Sequence, residues 1–277
     1  MNKKYIIQKL SEPNEYKDCY VAFLDILGFK EFCKDERSDC AIIKALFDDT
    51  ELIVSKYNKT FAKLVISQDT IDNSQLMIMS DSIVISAPNS DEGLLSILYQ
   101  GAFIQNMLLK FGLLVRGGIA RGKFFQYKRI MFGPAMIQAY EIESDAKFPR
   151  VVLSDDIIDR LKEKGFFKTG NIQKYLSFDD DSIQIQIELL IKQDNDKKYF
   201  LNYLSPFETI KIYNDEDLKN NIEKTITKGL KAQDTKVKKK YEWFNTYYNK
   251  SITLLEPPKL SSEEIDEIAR MVKRNEV

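Results

Sequence analysis

The chain has 277 residues, 44% of them apolar and 30% charged, with a formal net charge of −1. That length allows one large domain, or a catalytic domain with an appendage, and the balance is that of an ordinary globular protein. A net charge so near zero gives no electrostatic footprint for nucleic acid or anionic membrane, and neither is expected as a partner. The sequence contains no histidine. This excludes Ser-His-Asp and Cys-His nucleophiles, imidazole acid–base catalysis and nearly all catalytic zinc sites. Chemistry must run on carboxylates, hard metals, Lys, Arg, Ser or Tyr. Cys19, Cys33 and Cys40 are too few for a four-cysteine zinc site, and their wide spacing suggests no disulfide framework.

Met1-Asn2-Lys3-Lys4-Tyr5 is basic, but no apolar stretch separates it from the polar residues 11–15, so it does not read as a secretory signal. The most lipid-like window, 94–115, is interrupted by Gln100, Gln105, Asn106 and Lys110. It reads as a core helix running into a buried strand, and a cytoplasmic protein is expected.

Residues 20–27 form a nearly continuous apolar run broken by Asp25, the pattern of a buried strand, and Gly28 ends it. A helical region is expected to about 57. Residues 75–87 read as a hairpin with Ser80-Asp81 at its tip. A turn at 88–91 caps a helix reaching to about 111. A strand over 113–120, ending at Gly122, is expected to pair with a second over 124–132. Gly133-Pro134 opens a helix to about 146. A short strand at 151–153 is followed by Ser154-Asp155-Asp156, which caps a helix to about 164.

This order predicts an α+β fold with a ferredoxin-like βαββαβ palm, an antiparallel sheet carrying helices on one face. After 165 the character changes. Alternating segments at 182–192 and 197–204 predict a hairpin, followed by a lysine-rich helix over 215–248, Pro257-Pro258 and a last short helix. The expected division is therefore a core over 1–165 and a hairpin-plus-helix extension over 166–277, packed on it.

In such a sheet the strands bearing Asp25 and Asp81 are neighbours, about 4.8 Å apart, so both carboxylates can project from one edge. Two acids that close repel each other, and a divalent cation is the usual relief. A metal pair held this way can clamp the attacking and leaving oxygens of a phosphoryl displacement. Asp81 alone also reads as an ordinary turn residue. An acid inside an apolar strand such as Asp25 needs a partner.

Phe23-Leu24-Asp25-Ile26-Leu27-Gly28-Phe29 resembles the first-strand motif of the class III nucleotidyl cyclases, F-x-D-I-x-G-F. Ser80-Asp81-Ser82 is similar to the hairpin carrying that family's second metal aspartate. Val115-Arg116-Gly117-Gly118-Ile119-Ala120-Arg121-Gly122 resembles its V-R-x-G-I-x-x-G strand. Phe132-Gly133-Pro134-Ala135 falls where the family's next helix begins. The similarity covers roughly 20–156. It implies a catalytic domain over 1–165 that converts a nucleoside triphosphate to a 3′,5′-cyclic nucleotide and pyrophosphate, using two Mg²⁺ or Mn²⁺ per site. Asp25, Asp81 and the Ile26 carbonyl would hold the metals. Leu27, Gly28, Phe29 and Ser80 would face the triphosphate. The family pairs two catalytic domains head to tail, and one such domain per chain implies a homodimer.

Four family positions differ. The usual asparagine and transition-state arginine fall on Ile137 and Glu141, and the purine-reading pair on Met77 and Ile130. Arg121 is the leading candidate for the missing arginine, with Lys123 beside it; a surface arginine is the alternative. Glu141 and Glu143 could add a metal ligand or simply solvate a helix. Loss of the purine pair favours a branch resembling the pyrimidine cyclases of bacterial anti-phage (Pycsar) systems, whose cyclic UMP or cyclic CMP acts on a separate effector rather than a stable partner. A degenerate nucleotide- or partner-binding module and another palm-type nucleotidyltransferase remain alternatives. The basic and aromatic residues of 228–243 suit a packed helix better than single-stranded nucleic acid.

Overall fold

Lys17–Leu27 form the central strand β1, and its alternation divides the molecule. Tyr20, Ala22, Leu24 and Ile26 are at most 2% exposed and enter the main core, while Val21, Phe23 and Asp25 face the other way. The computed structural model describes residues 15–34, 44, 66–127, 130–167, 183–205 and 215–253. The rest of the helical region expected before 57, and the segment from Pro257 onward, lie outside these residues.

Gly28, at φ +81°, turns the chain into helix α1 (Phe29–Lys34). A short helix, α2 (Gln68–Asp72), leads into the hairpin of β2 (Gln75–Met79) and β3 (Ser82–Pro88). Its two-residue turn has no glycine, and Ser80 takes the left-handed conformation at φ +58°. Helix α3 (Asp91–Lys110) is capped by Ser90, whose hydroxyl accepts from the Gly93 amide at 3.0 Å. Strand β4 (Leu114–Tyr127), β5 (Ile130–Phe132), α4 (Pro134–Asp145), β6 (Val151–Leu153) and α5 (Asp155–Glu163) follow. Then come α6 (Ile183–Leu189), β7 (Ile191–Gln193), β8 (Tyr199–Leu201), α7 (Glu216–Leu230) and α8 (Thr235–Thr253).

The sheet order is β2-β3-β1-β4-β6-β8-β7, with β5 paired to β4 off this path. Its first four strands are antiparallel in the 2-3-1-4 order of a ferredoxin-like palm, so the fold is the expected α+β class. Strand β6 runs parallel to β4, and β8 and β7 extend the same sheet. Among the described residues, no helix is long and apolar enough to cross a membrane.

Four expectations need correction. Helices cover both faces, not one: α3 packs on the main core, while α4 crosses the face carrying Phe23. Gly118 permits that approach, because a Cβ there would lie 2.3 Å from the Ala139 carbonyl oxygen. Second, β4 does not end at Gly122. It continues because β1 runs beside it, pairing Cys19 with Gly122 and Lys17 with Phe124.

Third, most of 182–192 is helical. Ile183, Ile187 and Leu190 are four and three residues apart, so the alternating Ile-Gln letters also give a helical stripe, which packs against the core. Tyr99 fixes this choice by donating to Gln186 Oε1 at 2.7 Å. Fourth, the lysine-rich helix is two helices. Asp234 Oδ1 caps the second by accepting from the Lys236 amide at 2.7 Å, and the Tyr241 ring packs on the bare Gly229 backbone.

Helix α8 is tied to the sheet by a charge cluster around one buried arginine. Arg150, with its side chain 4% exposed, pairs with Asp194 and Asp196 of the β7–β8 turn. Its guanidinium also lies over the rings of Phe148, Phe200 and Trp243. Trp243 Nε1 donates to Asp194 Oδ2 at 2.6 Å. The hydrogen bond from Arg150 holds the Asp196 carboxyl below its usual range. Removing Arg150 leaves the half-buried Asp194 without its cation, while exposed Asp196 is solvated. Arg150→Met should therefore lower unfolding free energy by about 2 kcal/mol in urea titrations; a loss below about 1 kcal/mol would show the cluster to be dispensable.

Candidate active site

The site is set by the register of β1. Asp25 stands opposite Ser82 of β3 on one side and Arg116 of β4 on the other. The next residue pins the hairpin tip: the Ile26 amide donates to the Asp81 carbonyl oxygen at 2.8 Å. Asp25 and Asp81 therefore share one sheet edge, and both are partly exposed. Exposed Ser80 flanks Asp81. Ile26 is buried, Leu27 is half-buried against the main core, Gly28 is exposed, and Phe29 is buried against Phe32, with ring centroids 6.4 Å apart.

Beside Asp25 lies a charge network the sequence did not reveal. Arg116 Nη2 is 3.1 Å from Asp25 Oδ2 and 2.5 Å from Glu143 Oε1, while Nη1 donates to the Ala146 carbonyl at 3.2 Å. Glu143 is 4% exposed. Burial pushes its carboxyl above the usual range; Arg116 opposes that shift and the Asp25 charge adds to it. Lys240 of α8 belongs to the same electrostatic neighbourhood. Its amine is pulled below its usual range by burial and then by Arg116, against the opposing charges of Asp25, Asp234 and Glu143.

The other expected residues are dispersed within the chain. Arg121 lies opposite Tyr20, five residues along β1 from Asp25, a separation of about 16 Å at strand spacing. Its Nε donates to Asp156 Oδ2 at 3.2 Å. Exposed Lys123 is farther still, opposite Asp18. Met77 sits opposite Val84 on the Asp25 face of the hairpin, whereas Ile130, 55% exposed, is opposite Tyr127 in the β4–β5 arm. Glu141 is exposed, unlike Glu143. A cleft of about 340 Å³, lined by Gln138, Ala146, Arg150 and Asp156 among others, contains none of the residues expected at the site.

Among the described residues, no group of three or more His, Cys, Asp or Glu side chains is placed to hold a metal. The donor chemistry still fits Mg²⁺ or Mn²⁺, because such ions commonly take one or two carboxylates and complete their shell with substrate phosphates and water. Asp25 and Asp81, both partly exposed, would supply two hard oxygen donors.

No protein-family model matches the sequence. No curated protein matches it either. Solved structures do. One is the guanylyl cyclase Cya2, at 13% identity and a TM-score of 0.34, over 53% of this chain and 80% of that one. Another is the catalytic core of a rhodopsin-guanylyl cyclase with converted specificity in complex with ATPalphaS. It has 16% identity and a TM-score of 0.42, over 68% of this chain and 96% of that one. Both are distant similarities.

The raised Glu143 pKa has a signed consequence. An acid with a raised folded-state pKa contributes stability that is present at low pH and is lost as pH rises through that value. In chemical denaturation, the stability of Glu143→Gln relative to wild type should improve as pH rises through and above the ordinary carboxylate range. A difference independent of pH, or one moving the other way, would contradict the burial described here.

Proposed function

We propose that the chain is a nucleotidyl cyclase, acting on UTP or CTP in preference to purine nucleotides. The observation supporting this reading is that Asp25 and Asp81 stand at the same end of neighbouring strands, with the Ile26 amide hydrogen-bonded to the Asp81 carbonyl oxygen. Bound there, two Mg²⁺ or Mn²⁺ ions would acidify the ribose 3′-hydroxyl and offset charge on the triphosphate. Asp25, Asp81 and the Ile26 carbonyl would hold them. The Leu27-Gly28-Phe29 turn and Ser80 would border the phosphates.

Two cations support an active site despite Ile137 and Glu141. Arg116 contacts Asp25, and Lys240 lies within its electrostatic reach. Arg121 and Lys123, at the opposite end of β4, would meet a triphosphate only in a second copy's site. The exposed apolar residues support such a pairing. Met79 (67% exposed), Ile137 (59%) and Tyr140 (53%) border the Asp25 face, and Phe132 and Ile130 stand on the adjoining arm. A homodimer would cover them. Met77 and Ile130 offer no hydrogen bond to a purine edge, which is the ground for preferring a pyrimidine. The cyclic product would signal to a separate effector, in anti-phage defence.

A second reading has its own observation: Asp25 Oδ2 is already engaged by Arg116, as in a module that binds nucleotide without turning it over. Incubation with each of the four triphosphates and Mn²⁺, followed by product mass, separates the two. We expect cyclic UMP or cyclic CMP to form at least about tenfold faster than any cyclic purine, a preference needing only about 1.4 kcal/mol. Asp25→Ala and Asp81→Ala should each abolish it with the fold intact. A purine nucleotide as best substrate would defeat the pyrimidine assignment. Nucleotide binding without turnover would establish the inactive module.

A further inference from the structure

Arg116 is placed by strand register, as the cross-strand partner of Asp25 on the same sheet face. Its guanidinium serves two carboxylates of unequal freedom. Glu143 is 4% exposed and cannot exchange the guanidinium for water without a large desolvation penalty. Asp25, with its side chain 23% exposed, can. The Ala146 carbonyl fixes the arginine from a third direction at 3.2 Å. The contact with Asp25, although it is the one with hydrogen-bond geometry, is therefore the exchangeable one, while Glu143 Oε1 is held by charge and burial. A divalent cation on Asp25 must either take the oxygen that Nη2 holds at 3.1 Å or sit beside the guanidinium charge.

Resting on the metal-site reading above, we infer that Arg116 is a positioning residue that occupies Asp25 in the metal-free protein and yields it to an incoming metal–triphosphate while remaining on Glu143. The consequence is coupled loading. Free metal meets a competing cation and binds weakly. Metal arriving with a triphosphate binds well, because the phosphates attract the guanidinium that Asp25 releases. No turnover is needed to see it.

The test is Mn²⁺ binding without nucleotide, followed by electron paramagnetic resonance, on wild type, Asp25→Ala, and the double variant Arg116→Gln/Glu143→Gln. The double variant removes one charge of each sign, so the net charge near the site is unchanged and no buried carboxylate is orphaned. It should bind Mn²⁺ about tenfold more tightly than wild type, the loss expected of one charge-assisted hydrogen bond. It should also gain less than wild type when a non-hydrolysable UTP analogue is added. Arg116→Lys provides a second variant: a single ammonium can stay on Glu143 but lacks the planar fork that spans both acids. It should shift affinity the same way. Equal Mn²⁺ affinity in wild type and both variants, with binding still lost in Asp25→Ala, would overturn the inference and leave the metal site standing. Binding unaffected by Asp25→Ala would overturn both.

Discussion

The ladder position of Asp25 between β3 and β4, closed by the 2.8 Å hydrogen bond from Ile26 to Asp81, is the constraint on which the site depends. A shift of one residue in β1 would send Asp25 into the main core and put an apolar side chain at the edge. The core forbids that shift: Tyr20, Ala22, Leu24 and Ile26 are all buried on the opposite face. Burial of one face thus fixes the chemistry of the other. The same register delivers Arg116 to Asp25, so the acid and its cationic partner are set by a single alignment.

The segment after 165 is part of this arrangement. Strand β8 joins β6, Arg150 ties the β7–β8 turn to the sheet, and Trp243 stacks on Phe148 with ring centroids 5.8 Å apart. Phe148 lies two residues beyond Ala146, whose carbonyl holds Arg116. Helix α8 is thereby docked beside the acid cluster, and its Lys240 reaches the field of Asp25 and Glu143. Electrostatically, the site is built from both halves of the chain.

The palm was legible because its signals were local. Alternating apolar runs marked β1 and the β2–β3 hairpin, Ser90 marked the start of α3, and Pro134 that of α4. Asp25 stood out as an acid inside an apolar strand. Arg116 did not, because its partnership with Asp25 exists only once β1 and β4 are aligned, and Glu143 looked like any solvated helix acid until α4 closed over Gly118. The Ile-Gln repeat of α6 suits either period, and only the core and Tyr99 decide between them. Lys240 was hidden in a run of lysines whose neighbours Lys236, Lys238 and Lys239 are exposed.

Asp25 and Asp81 are proposed to form one divalent-metal site that receives a nucleoside triphosphate. It is tested most directly by anomalous diffraction from crystals grown with Mn²⁺ and a non-hydrolysable UTP analogue. Anomalous peaks are expected between the two carboxylates, in contact with the triphosphate oxygens. A bound nucleotide with no metal between Asp25 and Asp81, or metal peaks only elsewhere on the protein, would contradict it.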